Sequence, residues 1–147
     1  MKVYDNYIFF ELGGCSMKSI IIDLTVENCH EALLYYKEIF GGEIKNTQLA
    51  DGIEMFKGHE GKYIHSELHI NENCILYLTD IFSENHIPGN NFKIVLQLNS
   101  DEEIEKQYDA LTNDGQIVFP LQDTFWGSRH GVVQDKYGVT WELDYKK

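Results

Sequence analysis

The chain contains the same order of secondary-structure elements twice, and this repeat limits its possible folds more than any other feature. Each copy has an apolar strand, a capped helix and three further strands. The first copy covers about residues 19–80 and the second about residues 92–145. Sequence identity between the copies is slight, so the repeat is one of pattern. We therefore predict an α+β fold built from two βαβββ modules.

The two predicted helices carry the clearest repeat signals. Asn28 and Ser100 are predicted helix caps, and each is followed three residues later by a glutamate, which is the capping-box spacing. Apolar side chains then recur at spacings of three, four and seven, so one face of each helix packs on a sheet. Gly41 and Gly42 end the first helix, and an Asn-Asp-Gly run at residues 113–115 ends the second.

Apolar runs and alternating patterns predict eight strands. They cover residues 19–26, 43–49, 63–70 and 74–79 in the first copy, and residues 92–98, 116–122, 125–134 and 139–145 in the second. Residues 80–91, which include Pro88 and Gly89, form the predicted linker. The last two strands form a predicted hairpin, because the tight turn at residues 135–138 has glycine in its final position.

Length and charge exclude several classes of protein. A chain of 147 residues fits one domain, and its formal charge of −12 repels phosphate backbones and anionic lipids. We therefore predict neither a nucleic-acid partner nor a membrane partner. Three cysteines without C-x-x-C spacing indicate free thiols in a reducing compartment. Because the sequence also lacks a recognisable signal peptide and a long apolar span, we expect a cytoplasmic protein.

Residues 1–16 precede a second methionine, Met17, and are treated as an extension of a single domain at residues 17–147. One hypothesis is that Met17 is the natural start, with Gly13 and Gly14 encoded by a ribosome-binding site. The other is that residues 7–12, three of which are aromatic, form an extra strand or a dimer contact. Intact mass measurement of the untagged native protein separates the two hypotheses.

Three motifs, together with the tandem repeat, resemble one superfamily. They are Y-Y-K-E-I-F-G-G-E-I at residues 35–44, P-L-Q-D-T-F-W-G-S-R at residues 120–129 and D-K-Y-G-V-T-W-E-L at residues 135–143. The chain resembles the vicinal oxygen chelate superfamily of glyoxalase I, extradiol dioxygenases and fosfomycin- and bleomycin-resistance proteins. Within it, the motifs are similar to the PhnB-like branch, which has no single known reaction. The resemblance implies a cupped, eight-stranded mixed sheet with helices on its convex face, and a homodimer.

In that superfamily, a divalent metal is held by ligands from the first and fourth strands of each module. Alignment of the two repeats places the four ligand positions on Ile21, Tyr77, Lys93 and Glu142. Only Glu142 is an acceptable ligand, because isoleucine has no donor atom and lysine brings a positive charge. We therefore expect no metal site of the usual kind and no cofactor, and we expect Lys93 to pair with Glu142.

Other polar residues have two open interpretations. His65 and Glu67 share one face of a predicted strand, and His130 matches His65 in the repeat. They are either acid–base groups or ligands of a displaced metal site, or else a polar, partly hydrated sheet face. Trp126 and Arg129 either hold a planar or anionic ligand, or pack the hairpin and bridge acidic neighbours.

The predicted function is binding or sequestration of a small molecule in a pocket of the cup. The predicted lining is Tyr77, Lys93, Glu142, His65, Glu67, Trp126, Arg129 and His130. The alternative is a metal-dependent lyase, isomerase or dioxygenase of the glyoxalase type, with Glu142 joined by His65, Glu67 or His130 as ligands. Whether the chain is an enzyme stays undecided, since no nucleophile elbow, P-loop or dinucleotide-binding motif is present.

Overall fold

The computed structural model describes residues 17–147, so the two hypotheses about residues 1–16 lie outside the described residues. The first module contains β1 (Ile22–Val26), α1 (Cys29–Phe40), β2 (Glu43–Leu49), β3 (Tyr63–Asn71) and β4 (Cys74–Asp80). The second contains β5 (Ile94–Gln97), α2 (Asp101–Asn113), β6 (Gln116–Asp123), β7 (Ser128–Gln134) and β8 (Thr140–Lys146). A short 3-10 helix, Glu54–Phe56, lies between β2 and β3. The predicted element order is confirmed.

The eight strands form two four-stranded sheets with the same internal topology. Their orders are β1-β4-β3-β2 and β5-β8-β7-β6. In each sheet the first two strands of the order are parallel and the other pairs are antiparallel. The α+β fold of two βαβββ modules is therefore confirmed. Within residues 17–147, the strands of each module form hydrogen bonds only with one another, so the predicted eight-stranded sheet consists of two four-stranded halves. β1 and β5 are edge strands of these halves.

Both predicted helix caps, Asn28 and Ser100, begin their helices. Asn28 Oδ1 accepts a hydrogen bond from the Glu31 backbone N–H at 3.2 Å, and Asn28 Nδ2 donates to Glu31 Oε2 at 3.1 Å. Ser100 Oγ accepts from the Glu103 backbone N–H at 3.1 Å. The bonds from the Glu31 and Glu103 N–H groups satisfy backbone donors that have no partner inside the helix. No helix in the described part of the chain is long and apolar enough to cross a membrane.

The two modules share one apolar core. It contains the helix-facing side chains of both sheets, among them Leu24, Leu68, Leu78, Ile94, Val133 and Leu143, together with Leu33 of α1 and Ile104 of α2. Trp141 of β8 is 1% exposed and belongs to this core. Its ring lies 5.7 Å from that of Tyr36 and 5.0 Å from that of Phe40, both on α1. Packing between these rings joins the first module to the second.

A buried carboxylate at the β7–β8 turn strengthens this junction. Asp135 is 4% exposed, and its Oδ2 accepts hydrogen bonds from the Tyr36 hydroxyl at 2.6 Å and from Trp141 Nε1 at 2.7 Å. Its Oδ1 accepts from the backbone N–H groups of Tyr137 and Val139. Asp135 thus shapes the predicted turn and ties it to α1. Burial and the nearby Asp135 charge raise the pKa of the Tyr36 phenol.

The seventh strand starts later than predicted. Residues 124–127 form a turn in which the Gly127 N–H donates to the Thr124 carbonyl at 3.2 Å. Gly127 has a φ of 84°, a conformation that glycine adopts without steric cost. β7 therefore begins at Ser128, and Phe125 and Trp126 project from the turn. This placement leaves Phe125 97% exposed.

Candidate functional site

Each sheet turns one face toward the helices and leaves the other face open. Strand register places Glu67 opposite Tyr77 in the first sheet and Val132 opposite Glu142 in the second. Side chains alternate across a strand, so their neighbours at intervals of two share the same side. We call the side with His65, Glu67, His69 and Tyr77 the first open face. We call the side with Val95, His130, Val132, Gln134, Thr140 and Glu142 the second open face.

The first open face holds a carboxylate between two imidazoles. His65 Nε2 lies 3.0 Å from Glu67 Oε1, and His69 Nε2 lies 2.5 Å from Glu67 Oε2. Glu67 is only 8% exposed. Hydrogen bonds from His65 and then His69 lower the pKa of Glu67 to about 2. The His65 ring also meets the Tyr77 ring edge-on at 4.7 Å. The site keeps Glu67 ionised and hydrogen-bonded at neutral pH.

Two contributors to this cluster were not among the predicted site residues. His69 continues the His-x-Glu-x-His alternation along β3, so the sequence did contain a signal for it. The side chain of Asn46 also helps lower the pKa of Glu67. Asn46 has a φ of 51°, and the register of β2 against β3 shifts between Lys45 and Gln48. This irregularity is a property of the strand pair, and no sequence pattern indicates it.

The second open face contains an ion pair beside a cleft. Lys93 Nζ lies 2.6 Å from Glu142 Oε2, as predicted for this pair. The cleft has a volume of about 610 Å³. Its lining consists of Asn90, Asn91, Phe92, Lys93, Val118, Phe119, His130, Val132, Gln134 and Thr140. Glu142 adjoins the cleft through Lys93 and through Val132, its cross-strand neighbour.

Two aromatic side chains flank His130 at the rim of this cleft. The His130 ring lies 5.5 Å from the Phe119 ring and 5.7 Å from the Trp126 ring. His130 Nδ1 is 3.9 Å from Asp144 Oδ1, which is the limit of an ion-pair contact. Trp126 is 52% exposed and stands at the turn before β7. The structure thus brings Lys93, Glu142, His130 and Trp126 together on the second open face.

Arg129 does not join them, which corrects its predicted place in the pocket. It alternates with His130 along β7 and therefore points to the helix-facing side. Its Nη2 lies 2.6 Å from Glu105 Oε1 on α2, and Nη1 is 3.7 Å from Asp123 Oδ1. Of the two interpretations left open, the structure favours the bridge between acidic neighbours.

The four positions expected to hold the superfamily metal do not fit one. Ile21 offers a hydrocarbon side chain, and Lys93 offers an ammonium group already paired with Glu142. The donors of His65, Glu67 and His69 are directed at one another. Within residues 17–147, no group of three or more His, Cys, Asp or Glu residues is arranged to hold a metal ion.

Comparison with known proteins places this geometry in a family. The model of the Glyoxalase/Bleomycin resistance protein/Dioxygenase superfamily matches residues 19–143. Protein YjdN of Escherichia coli is 26% identical over 131 residues, which cover 82% of this chain and 89% of YjdN. The crystal structure of PA1353 from Pseudomonas aeruginosa is similar, with 25% identity, a TM-score of 0.76 and coverage of 88% of this chain and 98% of PA1353. The PhnB protein of Bacillus cereus shows 27% identity, a TM-score of 0.74 and coverage of 87% and 99%. The chain belongs to the Glyoxalase/Bleomycin resistance protein/Dioxygenase superfamily.

Proposed function

We propose that this protein binds or sequesters an organic small molecule in the cleft of the second open face. The observation that carries the proposal is the cleft itself, whose volume of about 610 Å³ lies within the range of small-molecule sites. Its lining combines the apolar side chains of Phe92, Val118 and Phe119 with polar side chains that include Lys93. This combination of apolar wall and localised polar groups is typical of such sites.

The first open face supports this choice by contrast. Its histidines and Glu67 already satisfy one another, and Glu67 is nearly buried. A ligand there would have to replace these hydrogen bonds before it gained any of its own. The second open face keeps exposed aromatic surface at Phe92 and Trp126, which a ligand covers without such a loss.

Thermal-shift screening with an organic fragment panel tests the proposal, because a ligand that binds only the folded state raises the melting temperature. The protein is first treated with a chelator, and fragments are then tested with and without Ni²⁺, Zn²⁺ or Mn²⁺. Stabilising fragments are mapped by amide chemical shifts. We expect changes at Gln134 and Thr140 in the cleft, and none at Ser66 under the first sheet. Hits that map elsewhere contradict the proposal.

The same screen covers the metal-dependent alternative, a glyoxalase-type lyase, isomerase or dioxygenase. The His65–Glu67–His69 cluster is the observation that favours this alternative, since imidazole and carboxylate groups are common metal ligands. If fragments stabilise the protein only after a divalent ion is added, the alternative replaces the proposal.

We infer that a second copy of the chain is the main protein partner, because superfamily members typically bind small molecules and form dimers. Exposed apolar side chains such as Phe125 and Ile117 offer surface for such a contact. We also propose a cytoplasmic location, and the formal charge of −12 disfavours nucleic-acid and anionic-membrane partners. Light scattering coupled to size-exclusion chromatography measures the mass, and a monomer at micromolar concentration contradicts the dimer.

A further inference from the structure

We propose that the ligand carries no net charge and presents a flat apolar body with a head group that both donates and accepts hydrogen bonds, such as a primary amide. This inference rests on the proposed function and names the ligand class of the same cleft. The head group would contact the Lys93–Glu142 pair, and the body would lie against the aromatic wall. The inference follows from the charge state of the pair, its free hydrogen-bonding capacity and the lining of the cleft.

The ion pair cancels its own charge. Lys93 Nζ and Glu142 Oε2 are 2.6 Å apart, and the two side chains are 48% and 24% exposed. An anionic head that bonds Lys93 competes with Glu142 for the ammonium, and a cationic head competes with Lys93 for the carboxylate. Either competitor leaves one partly desolvated charge without its partner, and that loss is costly. A neutral head leaves the pair intact.

The pair retains hydrogen-bonding groups that a neutral head can use. An ammonium has three donors and a carboxylate has two acceptor oxygens, and the ion pair engages one of each. Within residues 17–147, the structure gives Lys93 and Glu142 no other ion-pair or side-chain hydrogen-bond partner. An amide carbonyl accepts from the remaining ammonium N–H, and the amide N–H donates to the remaining carboxylate oxygen. One uncharged group thus bonds both residues.

The rest of the cleft lining favours the same class. Besides His130, its further polar side chains are those of Asn90, Asn91, Gln134 and Thr140, which are uncharged donors and acceptors. Asp144 is the cross-strand neighbour of His130, and its carboxylate lies 3.9 Å from the His130 ring. This negative charge disfavours the binding of an anion in the cleft. The aromatic and aliphatic walls suit a flat ring system, since such rings stack on one another at low entropic cost.

Three matched probes test the inference: 2-naphthamide, 2-naphthoate and 2-naphthamidine share one ring system and differ in head-group charge. Isothermal titration at pH 7.5 is expected to give the native protein a preference of about tenfold for the amide over both ions. Glu142→Gln leaves Lys93 unpaired, so the affinity for naphthoate should rise about tenfold relative to the affinity for the amide. Lys93→Met leaves Glu142 unpaired, so the affinity for naphthamidine should rise instead.

Exposed Lys57 and Glu54 provide the matched controls, because they form a distant surface pair at 4.0 Å. Lys57→Met and Glu54→Gln make the same changes in net charge and should leave the order of the three probes unchanged. A chain with Lys93→Glu and Glu142→Lys together should regain the amide preference. Circular dichroism checks that every variant is folded.

The outcomes separate this inference from the proposed function. If the three probes bind with equal affinity, or if the paired substitutions do not reorder them, the inference is wrong while the cleft remains a binding site. If none of the probes binds, the inference is also wrong, and the fragment hits mapped to the cleft decide the proposed function independently.

Discussion

The two open faces have the same strand topology and opposite chemical character. On the first, Glu67 holds His65 and His69 by hydrogen bonds. At the repeat-related position on the second face stands Val132, which leaves His130 between Phe119 and Trp126. Val132 and Gln134, which match Glu67 and His69 in the repeat, thus replace the closed polar cluster with the wall of an open cleft. The open faces differ in chemistry, whereas the helix-facing sides of both sheets contribute apolar side chains to the common core.

This divergence has a physical cause in what each face contacts. The helix-facing positions Leu78 and Leu143, which match in the repeat, are both fully buried in the common core. A polar replacement there would lose its hydrogen bonds to water without compensation. Side chains on the open faces meet solvent, so either a hydrogen-bonded polar cluster or an apolar cleft is compatible with folding. Function is therefore free to differ between the two faces.

The largest effect is expected from Asp135→Ala, which tests whether both faces belong to one folding unit. Four hydrogen bonds to a buried carboxylate are lost, and the Tyr36 hydroxyl and Trp141 indole lose their partner. We expect the free energy of unfolding to fall by about 3 kcal/mol. Calorimetry should still show one transition at a lower temperature. Two separate transitions would show that the modules unfold independently, and the exposed Asp109→Ala is the control.

Phe119→Ala tests whether ligand binding belongs to the second face alone. The phenyl ring forms part of the cleft wall beside His130, so its removal is expected to weaken 2-naphthamide binding by about tenfold. Tyr77→Ala on the first face should leave the affinity unchanged. Ile117→Ala, on the same strand and 57% exposed, is the matched control. Equal losses for Phe119→Ala and Tyr77→Ala would break the contrast between the faces.

Glu67→Gln tests the closed character of the first face through its pH dependence. The pKa of Glu67 is lowered from 4.5 to about 2, so its stabilising contribution is complete above pH 4.5 and lost as the pH falls toward 2. We expect the variant to be less stable by about 1 kcal/mol at pH 7. Urea unfolding at several pH values should show this difference shrinking between pH 4.5 and about 2.

A constant difference across that range would mean that Glu67 acts only through packing. The exposed Glu84→Gln serves as the control, and its stability at pH 7 should change by less than about 0.5 kcal/mol.

The smallest effect is expected from Arg129→Met, which tests the correction to the predicted pocket. Arg129 bridges β7 to Glu105 of α2 and to Asp123, and it is 24% exposed. We expect a loss of stability of about 0.5 kcal/mol that diminishes with added salt, and no change in ligand affinity. Weaker naphthamide binding in this variant would show that Arg129 contributes to the ligand site.

Local sequence signals predicted most of the fold. The capping glutamates, helix-ending glycines and alternating runs each act over a few residues, so the order and type of elements are confirmed. The ion pair between Lys93 and Glu142 followed from aligning the repeats. The boundary of β7 was missed, because the turn at residues 124–127 depends on hydrogen bonds between Thr124 and Ser128 that no periodicity records.

The sequence by itself determined the repeat and the family, because these depend on residue type and spacing. The tertiary structure decided which polar residues meet. Arg129 contacts α2, and His69 and Asn46 lie beside Glu67. His130 packs against Phe119 and Trp126. Such contacts depend on strand register and on one irregularity in β2, and a register shift of a single residue would exchange the two faces of a strand.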